Sequence, residues 1–122
     1  MTPPVLPDTS TLLIHNPRCS KSRKALELLE ERRASFELRL YLEDPLSRAE
    51  LTELRRRLGR PALEWTRRGE PAFSAAGLGA ESSDDAVLDA IAQHPELLER
   101  PILVRADRAV VGRPPETILE LL

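Results

Sequence analysis

The segment His15-Asn16-Pro17-Arg18-Cys19-Ser20-Lys21-Ser22-Arg23 puts a thiol, an imidazole and three cationic side chains within nine residues. A thiol is a nucleophile only as thiolate, and its reference pKa of about 8.5 leaves it mostly protonated at neutral pH. This loop offers several ways to lower that value. Asn16-Pro17 is a turn signal. Cys19 falls just before a predicted helix, where unpaired backbone N–H groups and the helix dipole favour an anion. Arg18, Lys21 and Arg23 add positive charge, and His15 is placed to point its imidazole toward the sulfur. A lone cysteine is more commonly a buried, inert side chain, but the basic, proline-turned setting moves the reading toward a reactive one. For His15, a purely structural hydrogen-bonded role is equally open. Arg18, Lys21 and Arg23, taken singly, read as solvated surface charge. With one cysteine in the chain, neither an internal disulfide nor a multi-cysteine zinc site can form.

Three more arginines stand beside chain breaks: Arg67 in Trp65-Thr66-Arg67-Arg68-Gly69-Glu70, Arg100 before Pro101, and Arg113 in Gly112-Arg113-Pro114. Guanidinium forks hold tetrahedral oxyanions through paired N–H···O bonds and stay charged. From composition alone each of the three reads as surface charge. Arg100-Pro101 opens a predicted strand, where proline removes a ladder donor and favours a tight turn, sometimes with a cis bond.

These side chains need a scaffold. Thr11–His15 is a short apolar run between turn residues and predicts a buried strand. A helix follows over Ser20–Arg33, with Ala25, Leu26 and Leu29 on its apolar face. Phe36–Leu40 alternates and predicts a half-buried strand. Ser47-Arg48-Ala49-Glu50 has the form of a capping box opening a helix with Leu51, Leu54 and Leu58 on one side, ended by Gly59 and Pro61. Residues 61–82 are turn-rich and carry no clear period. Asp84–Gln93 predicts a short helix with Val87, Leu88 and Ile91 inward. Pro101–Arg105 and Arg108–Gly112 predict a hairpin around Ala106-Asp107, and Pro114-Pro115-Glu116 starts a last helix through Leu121. The order β-α-β, helical insertion, β-β-α is that of an α/β, thioredoxin-like (glutaredoxin-like) layer, a small mixed sheet flanked by helices. Residues 1–10, with three prolines, read as a flexible lead-in, and residues 11–122 as a single domain.

A length of 122 residues favours one domain. The net charge of -2 gives no global field to gather nucleic acid, so any anion chemistry must come from local arginine clustering. No stretch approaches the ~20 apolar residues of a membrane helix, and the opening residues lack a signal-peptide run. A cytoplasmic protein is expected.

The loop His15-Asn16-Pro17-x-Cys19-x-x-Ser22-Arg23 resembles the active-site loop of glutathione/glutaredoxin-type arsenate reductases. Leu40-Tyr41-Leu42-Glu43-Asp44-Pro45-Leu46-Ser47 is similar to the segment after their second strand. So are Gln93-His94-Pro95 followed by Leu97-Leu98, Arg100-Pro101-Ile102, and Gly112-Arg113-Pro114-Pro115-Glu116. These blocks run in order from residue 11 to 122. The resemblance implies an enzyme that reduces arsenate to arsenite with Cys19 as nucleophile. It implies Arg100 and Arg113 as oxyanion ligands, Arg67 as the third with Arg68 as the adjacent candidate, His15 as a residue tuning the thiol, and Pro101 as a cis-proline facing the site. With Ser22 in place of a second cysteine, the intermediate would need an outside thiol, so glutathione and glutaredoxin are the implied co-substrate and partner. No bound cofactor or metal, no nucleic acid and no membrane partner is implied, and a monomer is expected. Two other readings share the fold: a glutathione-dependent thiol reductase that does not use arsenate, and a non-catalytic module akin to transcriptional regulators that bind RNA polymerase.

Overall fold

A computed structural model describes residues 6, 7 and 10–122. Four strands form one sheet in the order β2-β1-β3-β4. β1 (Thr11–His15) lies centrally, parallel to β2 (Glu37–Leu40) and antiparallel to β3 (Ile102–Arg105), which pairs antiparallel with β4 (Arg108–Val111). The apolar run Leu12–Ile14 and the burial of all five β1 residues follow from the strand's position, since a central strand is covered on both faces. β2 is an edge strand and is more open than its alternation predicts, with Leu38 47% exposed.

Helices cover both faces, and the side chains of β1 divide between them by the two-residue period of a strand. Leu12 and Ile14 join Tyr41, Leu51, Leu54, Trp65, Val87 and Ile91 in the larger core, while Leu13 joins Ala25, Leu29, Leu103, Ile118 and Leu121 in the smaller one. The smaller core is closed by α1 (Ser20–Glu31), two residues shorter than predicted: Arg32 caps it and Arg33 turns out at φ 53°. The larger is closed by α2 (Arg48–Leu58) and α4 (Asp84–Gln93).

α2 begins with the capping box read from the sequence, Ser47 and Glu50 each bonding the other's backbone N–H at 3.1 and 2.9 Å. It ends at Gly59, whose φ of 66° is a left-handed conformation that glycine adopts without a Cβ penalty. The segment without a clear period holds a 3₁₀ turn over Ala62–Trp65 and a five-residue helix α3 (Pro71–Ala75), both too short to show a helical repeat.

The last helix is a 3₁₀ helix, Pro115–Leu121. Its buried residues Pro115, Ile118 and Leu121 fall every third position, the spacing that lines one face of a three-residue turn. The expected lead-in lies mostly outside the described residues. Within it, however, Leu6 is buried in the larger core, and Arg57 donates to the Leu6 and Pro7 carbonyls at 3.3 and 2.6 Å. At these two residues the chain is held against the domain, because an apolar side chain and a buried guanidinium both gain partners there. No helix among the described residues is long and apolar enough to cross a membrane.

Candidate active site

Cys19 sits at the N-cap of α1, in extended conformation (φ -97°, ψ 125°), at the end of the loop that leaves β1. The loop is held by its own backbone: Cys19 N–H donates to Asn16 O at 3.0 Å, and Arg18 N–H to Asn16 Oδ1 at 3.0 Å. The first turn of a helix has N–H groups without intrahelical partners. Here the Ser22 and Lys21 N–H groups bear on the sulfur. Burial pushes the Cys19 thiol up, but those N–H groups and the Arg100 guanidinium outweigh it and hold the thiol below its ordinary value. The cations of the loop itself act elsewhere. Arg18 is exposed, Lys21 contributes its backbone N–H, and Arg23 donates to Pro17 O at 3.1 Å.

His15, at the end of β1, is 3% exposed. Its Nδ1 lies 2.7 Å from Ser22 Oγ, and that oxygen accepts the Asn16 N–H at 3.0 Å. Burial, and then the field of Arg23, holds the imidazole below its ordinary value against the opposing hydrogen bond at Ser22. A neutral ring takes the remaining Ser22 hydroxyl proton at Nδ1. His15 therefore reaches the cysteine loop through Ser22, tying β1 to the first turn of α1 rather than aiming Nδ1 at the sulfur.

Arg100 ends the loop before β3, and the Arg100–Pro101 peptide is cis, as is Arg113–Pro114. Arg100 Nε and Nη1 are buried with no hydrogen-bond partner, the only such side-chain atoms among the described residues. Arg113 Nη1 donates to the Arg100 carbonyl at 3.1 Å. Arg67 is positioned through its backbone N–H, which donates to Leu97 O at 2.7 Å beside the antiparallel bridge Thr66↔Leu98. Its Nη1 bonds Glu70, and its Nε faces Glu99 at 3.9 Å. Arg68 is exposed at the rim of the open cleft of about 540 Å³ that Arg67, Glu70, Glu99 and Arg113 line. Gly112 lets these parts close up: its N–H donates to Pro101 O at 2.7 Å, and a Cβ there would lie 2.8 Å from Pro101 Cγ.

Two residues of the site carry no signal of spacing. Tyr41, 1% exposed, lies against Asn16 within the fields of Arg100, Arg67 and Cys19. Burial raises its phenol, which stays protonated beside the sulfur. Glu99 stands between Arg67 and Arg113. Tyr41 lies in a segment that carries the family resemblance but gives no role for its phenol, and the only signal at Glu99 is an acid next to Arg100. Among the described residues no three His, Cys, Asp or Glu side chains converge as a metal site would need. The assembled groups make a sulfur biased toward thiolate, facing buried guanidinium donors that lack acceptors. That is chemistry for a nucleophile and an anion together.

Comparison with known proteins fits this geometry. The model of the ArsC family matches residues 14–121. The arsenate reductase of Neisseria meningitidis serogroup A is 45% identical over 112 residues, covering 90% of this chain and 96% of its own. The uncharacterized protein YfgD of Escherichia coli (strain K12) is 43% identical, covering 90% of this chain and 94% of its own. Among solved structures, an arsenate reductase from Vibrio cholerae superimposes with a TM-score of 0.87 at 41% identity, covering 95% of this chain and all of that one. The fold is thioredoxin-like, as the order of elements predicts.

Proposed function

The chain belongs to the ArsC family, and from that premise we propose that it reduces arsenate to arsenite, with Cys19 as nucleophile and glutathione and glutaredoxin as the thiol system. The observation that carries the proposal is Arg100: two buried guanidinium nitrogens have no acceptor beside a thiol whose charge they favour. Leaving such donors unpaired costs about 1–3 kcal/mol each, which a bound oxyanion recovers. Arg113 donates to the Arg100 carbonyl and, with Arg67, lines a neighbouring cleft.

In this reading arsenate lodges against the arginines with its arsenic in line with the Cys19 sulfur. The thiolate forms a sulfur–arsenic bond and an arsenate oxygen leaves, protonated, as water. Glutathione thiolate then attacks the adduct. The two sulfurs together supply two electrons, arsenic falls from the pentavalent to the trivalent state, arsenite departs, and Cys19 is left in a mixed disulfide with glutathione. Ser22 stands where a resolving cysteine would, so the chain cannot displace glutathione itself. A glutaredoxin thiolate attacks the glutathione sulfur and returns Cys19 as thiolate. Pro101, Tyr41 and His15 position the loop and the arginines, and no resident metal or cofactor enters.

The deciding assay is arsenate-dependent NADPH consumption with glutathione, glutaredoxin and glutathione reductase. The wild-type chain is expected to turn over and Cys19→Ser to be inactive. Turnover retained by Cys19→Ser removes the nucleophile. A wild-type chain that reduces a glutathione mixed disulfide but not arsenate removes the substrate.

A further inference from the structure

In the free protein a single carboxylate oxygen occupies the space between two guanidiniums. Glu99 Oε1 lies 3.9 Å from Arg67 Nε and 4.0 Å from Arg113 Nη1. The fold, not the ion pairs, puts it there: the Glu99 N–H donates to Trp65 O at 3.1 Å, next to the Thr66↔Leu98 bridge. Both charge separations exceed the ~2.7–3.2 Å of an N–H···O bond, so Glu99 uses no donor that an anion would need. It acts through its charge alone. Glu70 bears on Arg67 as well, so the three arginines that line this cleft, Arg67, Arg68 and Arg113, share it with two carboxylates. The two carboxylates therefore offset most of the positive charge that the arginines bring to the resting cleft.

We propose that Glu99 is a built-in competitor that weakens oxyanion binding at the Arg67–Arg113 pair. The proposal rests on reading this cleft as an oxyanion site. Every tetrahedral dianion meets the same carboxylate and loses the same part of the field. An unreactive anion has only that weakened field to hold it. An anion that bonds to Cys19 has that bond in addition, so it depends less on the field to remain in the cleft. A purely structural Glu99 has the opposite consequence, because removing it would loosen both arginines and weaken anion binding.

The sign of the effect is the test. Sulfate, which cannot be reduced here, is titrated calorimetrically into the wild-type chain, Glu99→Gln, Glu99→Asp and the charge control Glu30→Gln. Glu30 lies near the far end of α1, about 16 Å along the helix from Cys19. Glu99→Gln is expected to bind sulfate about three- to fivefold more tightly, the upper scale of part-exposed ion pairs. Glu99→Asp keeps the charge and Glu30→Gln changes charge elsewhere, so both are expected within about twofold of wild type. Unchanged or weaker binding by Glu99→Gln overturns the proposal. So does an equal gain in Glu30→Gln, or the absence of sulfate binding in all four proteins. Arsenate turnover is not part of this readout, so a chain that tightens on sulfate yet never reduces arsenate keeps this inference and loses the function proposed above.

Discussion

A sulfur becomes reactive by what faces it, and at Cys19 that is a pair of backbone N–H groups and one guanidinium. Arg100→Ala is expected to move the midpoint of pH-dependent alkylation upward, by on the order of one pH unit, as a nearby charge is removed. An unchanged midpoint in iodoacetamide kinetics would take Arg100 out of the sulfur's environment. Ser22 answers to a different measure. Its hydroxyl accepts from Asn16 N–H and meets His15 Nδ1, all three residues being buried. Ser22→Ala leaves two buried polar groups without a partner and is expected to cost about 1–3 kcal/mol in urea unfolding. The N–H of residue 22 survives that change, so the alkylation midpoint is expected to shift less than in Arg100→Ala.

The elements that carry these residues are specified at their ends. The Ser47–Glu50 box fixes where α2 starts, and Ser47→Ala is expected to cost about 1 kcal/mol, read from the denaturation midpoint. Gly112 belongs to a junction between elements, packed between Pro101 and the 3₁₀ helix. A Cβ there meets Pro101 Cγ at 2.8 Å and Ile118 Cγ2 at 3.0 Å, and neither can swing aside as a flexible side-chain tip would. Gly112→Ala is expected to destabilise by about 1–3 kcal/mol and to weaken anion binding by shifting the loop that bears Arg100. Stability and affinity both within error of wild type would show that the junction has room to give.

For the whole molecule, acid sensitivity follows from His15. Its folded pKa is depressed, so between the folded value and the ordinary 6.5 the unfolded chain binds more protons, and stability rises with pH. The contribution is present above about 6.5 and is lost as pH falls through the folded value. Glu53, held down to about 2 by Arg56 and then Arg57, has the same sign in a lower window, below 4.5. Urea midpoints are expected to fall between pH 7 and pH 5.5, ahead of the carboxylates, and a flat profile there would refute a buried neutral His15. The amino-acid sequence by itself determined the four strands, α1, α2, α4 and the last helix and their order, but not the 3₁₀ turn and α3 within residues 61–82. The TLLIH run, the capping box at Ser47, the Asp84–Gln93 helix and the turn before Cys19 are local patterns, set by burial period, caps and turn chemistry within a few residues. It also marked Cys19 and the arginines as candidates, because residue type limits what a side chain can do. Only the tertiary structure decided which cations serve the sulfur. Neighbours in sequence, Arg18 and Arg23, turn to solvent or to a local carbonyl, while Arg100, eighty-one positions away, is folded against Cys19 by the pairing of β1 with β3. Tyr41 and Glu99 enter the site for the same reason. Electrostatic effect depends on distance through space, and only strand pairing and the closure of the loops set that distance.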